Sequence, residues 1–267
     1  IVYALQSITG AFSLVLLTND SLIGVRDPFG IRPLVLGKLN DTYILSSESC
    51  GLDIIGADLI RDVEPGEILI IKNNKIDSIK PFKKTYLRPC LFEYIYFSRP
   101  DSILEGRNVY DVRKSIGHQL AVENPNDNKI IDVVIPIPDS GNASALGYSE
   151  KIKKPFEFGI IRNHYTGRTF IEDSISVRNL SVKLKHNPNI FSFKDKSIAL
   201  VDDSIVRGTT SVKIVEMLRN CGVKNVHMRI ASPPVKYPCF YGIDTPTKEE
   251  LLASKYTIDK VSAQGVE

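Results

Sequence analysis

Short apolar runs separated by polar turns fill the first third of the chain. Asn, Asp, Gly or Pro stands in the intervening turns, as in Asp27-Pro-Phe-Gly30. The runs occupy residues 11–18, 22–26, 34–37, 42–46 and 67–72. Each run has the length of a strand, so the pattern predicts a β-rich layer with little helix over residues 1–91.

The hydrophobic period changes after residue 91. Helical spacing appears in three segments, and short buried runs of strand length lie between them. The predicted helices are residues 108–123, 143–151 and 211–220, and the predicted strands are 130–137, 156–161, 197–201 and 226–230. Alternating strands and helices indicate a parallel sheet. We therefore expect an α/β fold in which a β-rich α+β part, residues 1–91, precedes a parallel α/β domain, residues 92–267.

Composition narrows the possible partners. Of 267 residues, 43% are hydrophobic, which allows a sizeable core, and the formal net charge is only +3. A net charge of +3 is too small for the concentrated basic face that binds nucleic acid, so no nucleic acid partner is expected. No apolar run is long enough to cross a membrane and no secretory signal is visible, which predicts a cytoplasmic protein with reduced cysteines.

The two ends of the sequence resemble cut ends. The chain begins at Ile1 rather than at a methionine, and residues 259–267 stop without a visible structural terminus. We therefore expect a piece of a longer protein.

The strongest chemical signal lies where the strand at residues 197–201 meets the next helix. Asp202 and Asp203 end this strand, and an Arg-Gly-Thr-Thr-Ser turn containing Gly208 opens the helix. A helix N-terminus offers unpaired backbone N–H groups that bind phosphate. Carboxylates next to such a turn suit the hydroxyls or Mg²⁺ of a phosphorylated sugar, whereas the simplest alternative is an ordinary turn with N-cap residues.

A second strand–loop–helix unit places residues 138–142 at another strand's carboxyl end. Taken alone, this loop is more simply a turn in which Ser140 or Ser144 caps the helix. Next to the first loop, we favour a second anion site. Residues 161–189 form a long polar segment, and such segments inside compact domains are usually lids or binding loops.

Residues 201–211, Val-Asp-Asp-Ser-Ile-Val-Arg-Gly-Thr-Thr-Ser, resemble the 5-phosphoribosyl-1-pyrophosphate (PRPP) loop of type I phosphoribosyltransferases. The order of residues in this segment is similar to that of the glutamine PRPP amidotransferases, which carry out the first committed step of purine synthesis. The resemblance implies a pentosyltransferase that combines PRPP with glutamine-derived ammonia, giving 5-phosphoribosylamine, pyrophosphate and glutamate. It also implies one Mg²⁺ held by Ser140, Asp202 and Asp203, and a pyrophosphate loop at residues 138–142. The implied PRPP-binding residues are Asp202, Asp203, Ser204, Ile205, Val206, Arg207, Gly208, Thr209, Thr210, Ser211, Arg168 and Lys185. For Lys185, a solvated basic loop is an equally good interpretation.

The front of the chain resembles the later portion of an N-terminal-nucleophile glutaminase. The matching segments are residues 9–13, 27–34, 46–49 and 63–67. The family's nucleophile is the first residue of the mature chain, a cysteine, and it is absent here. No catalytic residue of the glutaminase reaction is therefore assigned to this sequence.

Two of the four cysteines lie in segments that resemble the iron–sulfur branch of these amidotransferases. Cys90 and Cys239 are the expected ligands, which would give two of the four thiolates of a 4Fe–4S cluster. From spacing alone, two such distant cysteines are more simply small buried residues. Cys221 falls on the apolar face of a predicted helix and is expected in the core, and Cys50 has no assigned role.

The resemblance further implies inhibition by purine nucleotides and assembly into a homo-oligomer, a tetramer or a dimer. Two other functions share the PRPP loop: a PRPP-binding regulator and a salvage phosphoribosyltransferase that uses a nucleobase. A regulator needs a nucleic-acid-binding module, which is not visible, and a salvage enzyme needs neither the glutaminase-like front nor Cys90.

Overall fold

A computed structural model describes residues 2–163, 186–245 and 247–256. The chain forms two compact units: Ile1–Val112 with Cys239–Asp244, and Arg113–Pro238 with Thr245–Glu267. The sequence pattern changes near residue 91, and the corresponding domain limits, 1–91 and 92–267, stay a prediction.

The strands of the first unit are β1 Ser13–Leu17, β2 Ser21–Arg26, β3 Val35–Leu39, β4 Thr42–Ser46, β5 Asp58–Asp62, β6 Ile68–Lys72, β7 Lys75–Ile79, β8 Ile103–Leu104 and β9 Arg107–Asn108. They form two larger antiparallel sheets, with strand orders β1-β2-β6-β7 and β4-β3-β5, and the short antiparallel pair β8-β9. The helical elements of this unit are α1 Val2–Gln6, α2 Ser49–Ile54 and a π-helix, Glu93–Phe97. The predicted β-rich first part is thus confirmed.

A buried carboxylate shapes the Asp27-Pro-Phe-Gly30 turn. The Asp27 carboxylate is fully buried and accepts backbone N–H bonds from Phe29 at 2.9 Å and from Ile31 at 3.0 Å. The neighbouring Arg26 guanidinium is also buried and donates to the carbonyl of Val63 at 2.7 Å. These bonds satisfy backbone groups that a turn leaves unpaired, and so they fix its shape.

The second unit is built on a parallel three-stranded sheet, in the order β10-β13-β14. Its strands are β10 Val133–Pro136, β11 Ile160–Arg162, β12 His186–Pro188, β13 Ser197–Asp202 and β14 Asn225–Ile230. Its helices are α3 Val109–Glu123, which starts in the first unit, α4 Asp127–Ile130, α5 Asn142–Ile152, α6 Ile190–Phe193, α7 Thr209–Asn220 and α8 Leu252–Lys255, with a 3-10 turn at Lys248–Glu250. The predicted parallel α/β fold is confirmed.

Helices cover both faces of this sheet. Ile135 and Leu200 pack on one face with Leu218 of α7, whereas Val134 packs on the other face with Tyr148 of α5. Successive side chains of a strand point to opposite faces, so a strand buried on both sides is apolar throughout. This is why residues 133–136 and 197–201 show continuous hydrophobic runs rather than alternation.

One predicted strand differs in extent. In the segment predicted at 156–161, Phe156 makes an isolated parallel bridge to Val134, and a regular strand forms only at Ile160–Arg162, paired antiparallel with His186–Pro188. Within the described part of the chain, none of the helices has the length and hydropathy needed to span a membrane.

Candidate functional site

The first predicted loop connects the carboxyl end of β13 to the start of α7. Gly208 immediately precedes α7 with φ of +80°, a conformation that favours glycine, and it lets the chain turn sharply into the helix. No side chain of the described structure caps this helix. The first N–H groups of a helix lack partners within the helix, so those of α7 could bind an anion; that they bind phosphate stays a prediction.

Asp203 lies at the centre of the site and is 6% exposed. Its carboxylate accepts a hydrogen bond from the Ser140 hydroxyl at 2.6 Å and another from the Ser204 hydroxyl at 2.7 Å. Ser140 comes from the second predicted loop, 63 residues earlier in the chain. The fold thus joins the two predicted anion loops at one edge of the parallel sheet, the edge at which open α/β sheets bind ligands.

Asp202 is the less buried member of the acid pair. One of its carboxylate oxygens accepts the backbone N–H of Asp203 at 2.9 Å. Desolvation, together with the charge of Asp203, raises the pKa of the Asp202 carboxyl well above its usual range. Ionising both carboxyls therefore costs free energy, and a bound cation would reduce that cost.

Close backbone packing shapes the second loop. A Cβ atom at Gly141 would lie 2.5 Å from the carbonyl oxygen of Val201 and 2.8 Å from that of Ile137. The N–H of Gly141 donates to the Ile137 carbonyl at 2.9 Å, and the N–H of Ile137 donates to the Val201 carbonyl at 2.8 Å. Only glycine fits this approach, so the loop is held directly against the end of β13.

The oxygen atoms of Ser140, Asp202 and Asp203 fit a magnesium ion by their chemistry. Mg²⁺ prefers oxygen ligands and is usually bound by one or two carboxylates together with substrate phosphates. A divalent cation would also offset the repulsion that raises the pKa of Asp202.

The remaining residues of the first loop have different surroundings. Ser211 is buried, whereas Thr209 and Thr210 are exposed at the start of α7. Ile205 packs against the core of the sheet, and the Arg207 guanidinium pairs with Glu250 at 2.7 Å. The loop therefore offers mainly backbone and hydroxyl groups to a ligand, while the side chain of Ile205 anchors it to the core.

Two predicted phosphate contacts, Arg168 and Lys185, lie outside the described residues, as does most of the predicted lid. The start of that segment is described, and there the guanidinium of Arg162 contacts the Asp139 carboxylate at 2.5 Å. Sequence reasoning missed this ion pair, because residues 23 positions apart meet only through the fold.

The first unit brings Cys90 and Cys239 near each other. Burial raises the pKa of the Cys90 thiol, and the charge of Cys239 contributes in the same direction. The Cys239 sulfur accepts the backbone N–H of Tyr241 at 3.3 Å. Both side chains are partly exposed, and a π-helix, an element often found at functional sites, begins at Glu93 just after Cys90.

These two thiols fit half of an iron–sulfur site. A cubane cluster is held by four cysteine thiolates. In the described ranges, no group of three or more His, Cys, Asp or Glu side chains could hold a metal ion. Cys221 packs against the core beside α7, as expected from its helical position, and Cys50 is buried.

A cavity of about 400 Å³ lies in the first unit. Arg32 and Glu93 line it and form an ion pair at 2.8 Å. Burial raises the pKa of the Glu93 carboxyl. This cavity could not be predicted from local sequence patterns, because its lining residues come from well-separated segments, among them Phe12, Glu48 and Tyr241.

Comparison with known proteins agrees with this geometry. The model of the phosphoribosyl transferase domain matches residues 101–232. An amidophosphoribosyltransferase of Rhizobium etli is 53% identical over 258 residues, which cover 95% of this chain and 51% of that protein. The chloroplastic amidophosphoribosyltransferase of Glycine max is 48% identical and covers 98% of this chain and 46% of its own length.

Solved structures show the same relationship. The glutamine PRPP amidotransferase of B. subtilis, complexed with ADP and GMP, superimposes with a TM-score of 0.91 at 43% identity, covering 98% of this chain and 57% of that chain. The chain spans about half the length of the curated relatives it matches. Sequence, fold and the joined anion loops lead to one conclusion: the chain belongs to the amidophosphoribosyltransferase family.

Proposed function

We propose that the protein transfers ammonia to C1 of PRPP, with formation of 5-phosphoribosylamine and release of pyrophosphate. The observation that carries this proposal is the 2.6 Å hydrogen bond from Ser140 to Asp203, which joins two anion loops at the carboxyl edge of one parallel sheet. PRPP carries a phosphate at one end and a diphosphate at C1, so it needs two anion sites with polar groups between them. The sugar hydroxyls match the acid pair between the loops.

The roles of the residues follow from their positions. The N–H groups and hydroxyls at the start of α7 bind the 5′-phosphate, and residues 138–142 bind the diphosphate. Asp202 and Asp203 orient the ribose hydroxyls and, with Ser140, hold Mg²⁺. When bound, Mg²⁺ neutralises the charge that develops on the departing diphosphate.

The protein's own contribution to the reaction is positioning and exclusion of water. As the C1–O bond to diphosphate breaks, positive charge builds up on the ribose ring, and the carboxylates of Asp202 and Asp203 would stabilise that charge. Neutral ammonia attacks C1 with its lone pair, then loses a proton to give the amine. Ammonia is itself a good nucleophile, so this step requires no general base to activate it.

We propose that glutamine supplies the ammonia in the complete protein, by hydrolysis to glutamate. The support is the similarity of the first unit to amidophosphoribosyltransferases along nearly its whole length. A salvage phosphoribosyltransferase or a PRPP-binding regulator would have no use for that unit. Purine nucleotides carry the same ribose 5-phosphate group as PRPP, and the B. subtilis relative was solved with ADP and GMP, so we propose that they compete at the same loop.

We also propose a 4Fe–4S cluster that takes Cys90 and Cys239 as two of its ligands. This proposal is supported by the electrostatic interaction between the Cys90 and Cys239 thiols, which lie in the same unit. Soft thiolate ligands are those that iron–sulfur clusters use, and hydrogen bonds such as that from the N–H of Tyr241 tune such clusters.

The proposed reaction is tested with the full-length protein and its Asp202→Asn, Asp203→Asn double variant. Formation of phosphoribosylamine from PRPP and ammonia should fall to background in the double variant, while thermal unfolding stays cooperative. A matched control, Asp53→Asn with Asp58→Asn, removes two exposed charges from the first unit and should keep normal turnover. Near-normal turnover in the Asp202, Asp203 variant would refute the site.

A further inference from the structure

The chain that follows the parallel sheet packs onto the proposed phosphate loop. This segment, residues 248–252, is called the strap; it comprises the 3-10 turn Lys248–Glu250 and the first residue of α8. It lies beyond residues 101–232, the part that matches the general phosphoribosyl transferase domain. Its contacts with the loop are therefore additional to that common domain.

The strap contacts the loop backbone where the loop turns into α7, at Val206 and Gly208. The N–H of Leu252 donates to the carbonyl oxygen of Val206 at 2.9 Å. The Leu252 side chain also lies against Gly208, where a Cβ atom would be 3.2 Å from Leu252 Cδ2. Gly208 is the residue with φ of +80° that turns the loop into α7, so both contacts act on the bend that aims the N–H groups at the phosphate.

A charged side chain of the strap fixes the one cation of the loop. Glu250 accepts a 2.7 Å hydrogen bond from Nε of Arg207, and about half of each side chain is exposed. Contact through Nε leaves the terminal guanidinium nitrogens of Arg207 able to donate elsewhere. A fixed guanidinium loses less freedom when it binds a phosphate than a free one does.

The strap itself is anchored independently of any ligand. Leu251, between the two contact residues, is fully buried. The Lys248 ammonium lies 5.3 Å from the centre of the Tyr237 ring, and the hydroxyl of Ser254 donates to the Leu251 carbonyl at 2.8 Å. The strap is therefore held by contacts of its own, apart from those it makes with the loop.

We propose that Glu250 and Leu252 are positioning residues for PRPP: Glu250 orients Arg207 toward the 5′-phosphate, and Leu252 sets the bend at Gly208. This inference rests on the proposed function. Neither residue touches the reacting atoms, so their loss should weaken PRPP binding and leave the chemical step intact.

The test measures KM for PRPP and kcat in the full-length protein with saturating ammonia and Mg²⁺. Glu250→Gln should raise KM about threefold, the scale of an exposed ion pair, with kcat within twofold of wild type. Glu249→Gln is the matched control: it removes the same charge from the neighbouring exposed residue and should leave KM unchanged.

Leu252 supplies a second, independent arm. Leu252→Ala should raise KM about tenfold because small displacements of positioning groups are costly, whereas Leu252→Met, which keeps the volume, should restore the wild-type KM. Isothermal titration with Mg²⁺-PRPP should show the same order of dissociation constants.

Each outcome has a defined meaning. Equal KM values for the Glu250 and Glu249 variants, or a loss confined to kcat, would overturn the positioning role. A wild-type protein that neither binds nor consumes PRPP would overturn the proposed function, and the inference with it. A wild type that binds PRPP with strap variants that match it would overturn the inference alone.

Discussion

Removal of the Ser140 hydroxyl gives the sharpest test of the joined loops. In the structure this hydroxyl donates to the Asp203 carboxylate at 2.6 Å, across 63 residues of sequence. Ser204 donates to the other carboxylate oxygen at 2.7 Å, but it is the next residue in the chain. The two serines therefore make similar bonds, and only Ser140 connects the two loops.

The expected magnitude follows from the type of bond. A hydrogen bond to a charged group contributes about 1.5–3 kcal/mol, and leaving one side of a buried carboxylate without its donor costs a comparable amount. Asp203 is 6% exposed, so water replaces the lost donor poorly. A loss of about 2 kcal/mol corresponds to about a 30-fold weaker affinity for Mg²⁺-PRPP. For Ser204→Ala we expect about a threefold loss of affinity for Mg²⁺-PRPP. Ser204 and Asp203 are neighbours in the chain, so their relative position does not depend on this hydrogen bond.

Titration calorimetry with Mg²⁺-PRPP on the full-length Ser140→Ala and Ser204→Ala proteins measures both values. Thermal unfolding of the same samples reports whether the fold is intact. A Ser140→Ala affinity within twofold of wild type, or a larger loss for Ser204→Ala, would refute the reasoning that this bond sets the distance between the loops.

Three further changes are predicted. Gly141→Ala should abolish Mg²⁺-PRPP binding measured by calorimetry, because its Cβ would meet two carbonyl oxygens within 2.8 Å; normal affinity would contradict the close approach. Asp127→Asn should destabilise the protein to urea by about 3 kcal/mol, since it leaves the largely buried Arg229 guanidinium without its carboxylate. Burial opposes ionisation of Asp127, but the hydrogen bonds from Arg229 and Tyr148 lower its pKa overall. The stabilisation by the Asp127–Arg229 pair is therefore complete above pH about 4, and it is lost as the pH falls through the lower pKa of the folded state. A wild type and variant with the same acid unfolding profile would contradict that sign. Cys90→Ala should lose bound iron and its visible absorbance while Cys221→Ala retains both; iron in equal amounts would exclude Cys90 as a ligand.

Local patterns predicted the parallel sheet and the long helices of the second unit well. The continuous apolar runs at residues 133–136 and 197–201 mark strands buried on both faces, and the helical spacing after Ser211 marks α7. In the two larger sheets of the first unit, strands β5 and β7 were not predicted. Charged residues such as Asp58, Arg61 and Asp77 interrupt their apolar pattern, because much of each strand is exposed to solvent.

The site was predictable only where a motif carries its own chemistry. The acid pair and the glycine turn are contiguous in sequence, so the first loop could be identified by itself. The second loop was favoured only because it accompanies the first. The Ser140 to Asp203 bond, the Arg162 to Asp139 pair and the strap at Glu250 and Leu252 arise from tertiary packing between distant segments. No local period or spacing encodes such contacts.

The proposed function requires that ammonia alone, without glutamine, drives the consumption of PRPP, and ³¹P NMR of the full-length protein measures this. With PRPP, Mg²⁺ and ammonium chloride but no glutamine, we expect loss of the PRPP diphosphate signals and appearance of free pyrophosphate. Parallel samples without Mg²⁺, or with hypoxanthine in place of ammonium, should show no turnover. Pyrophosphate release with the nucleobase but not with ammonia, or no consumption of PRPP at all, would refute the proposed function.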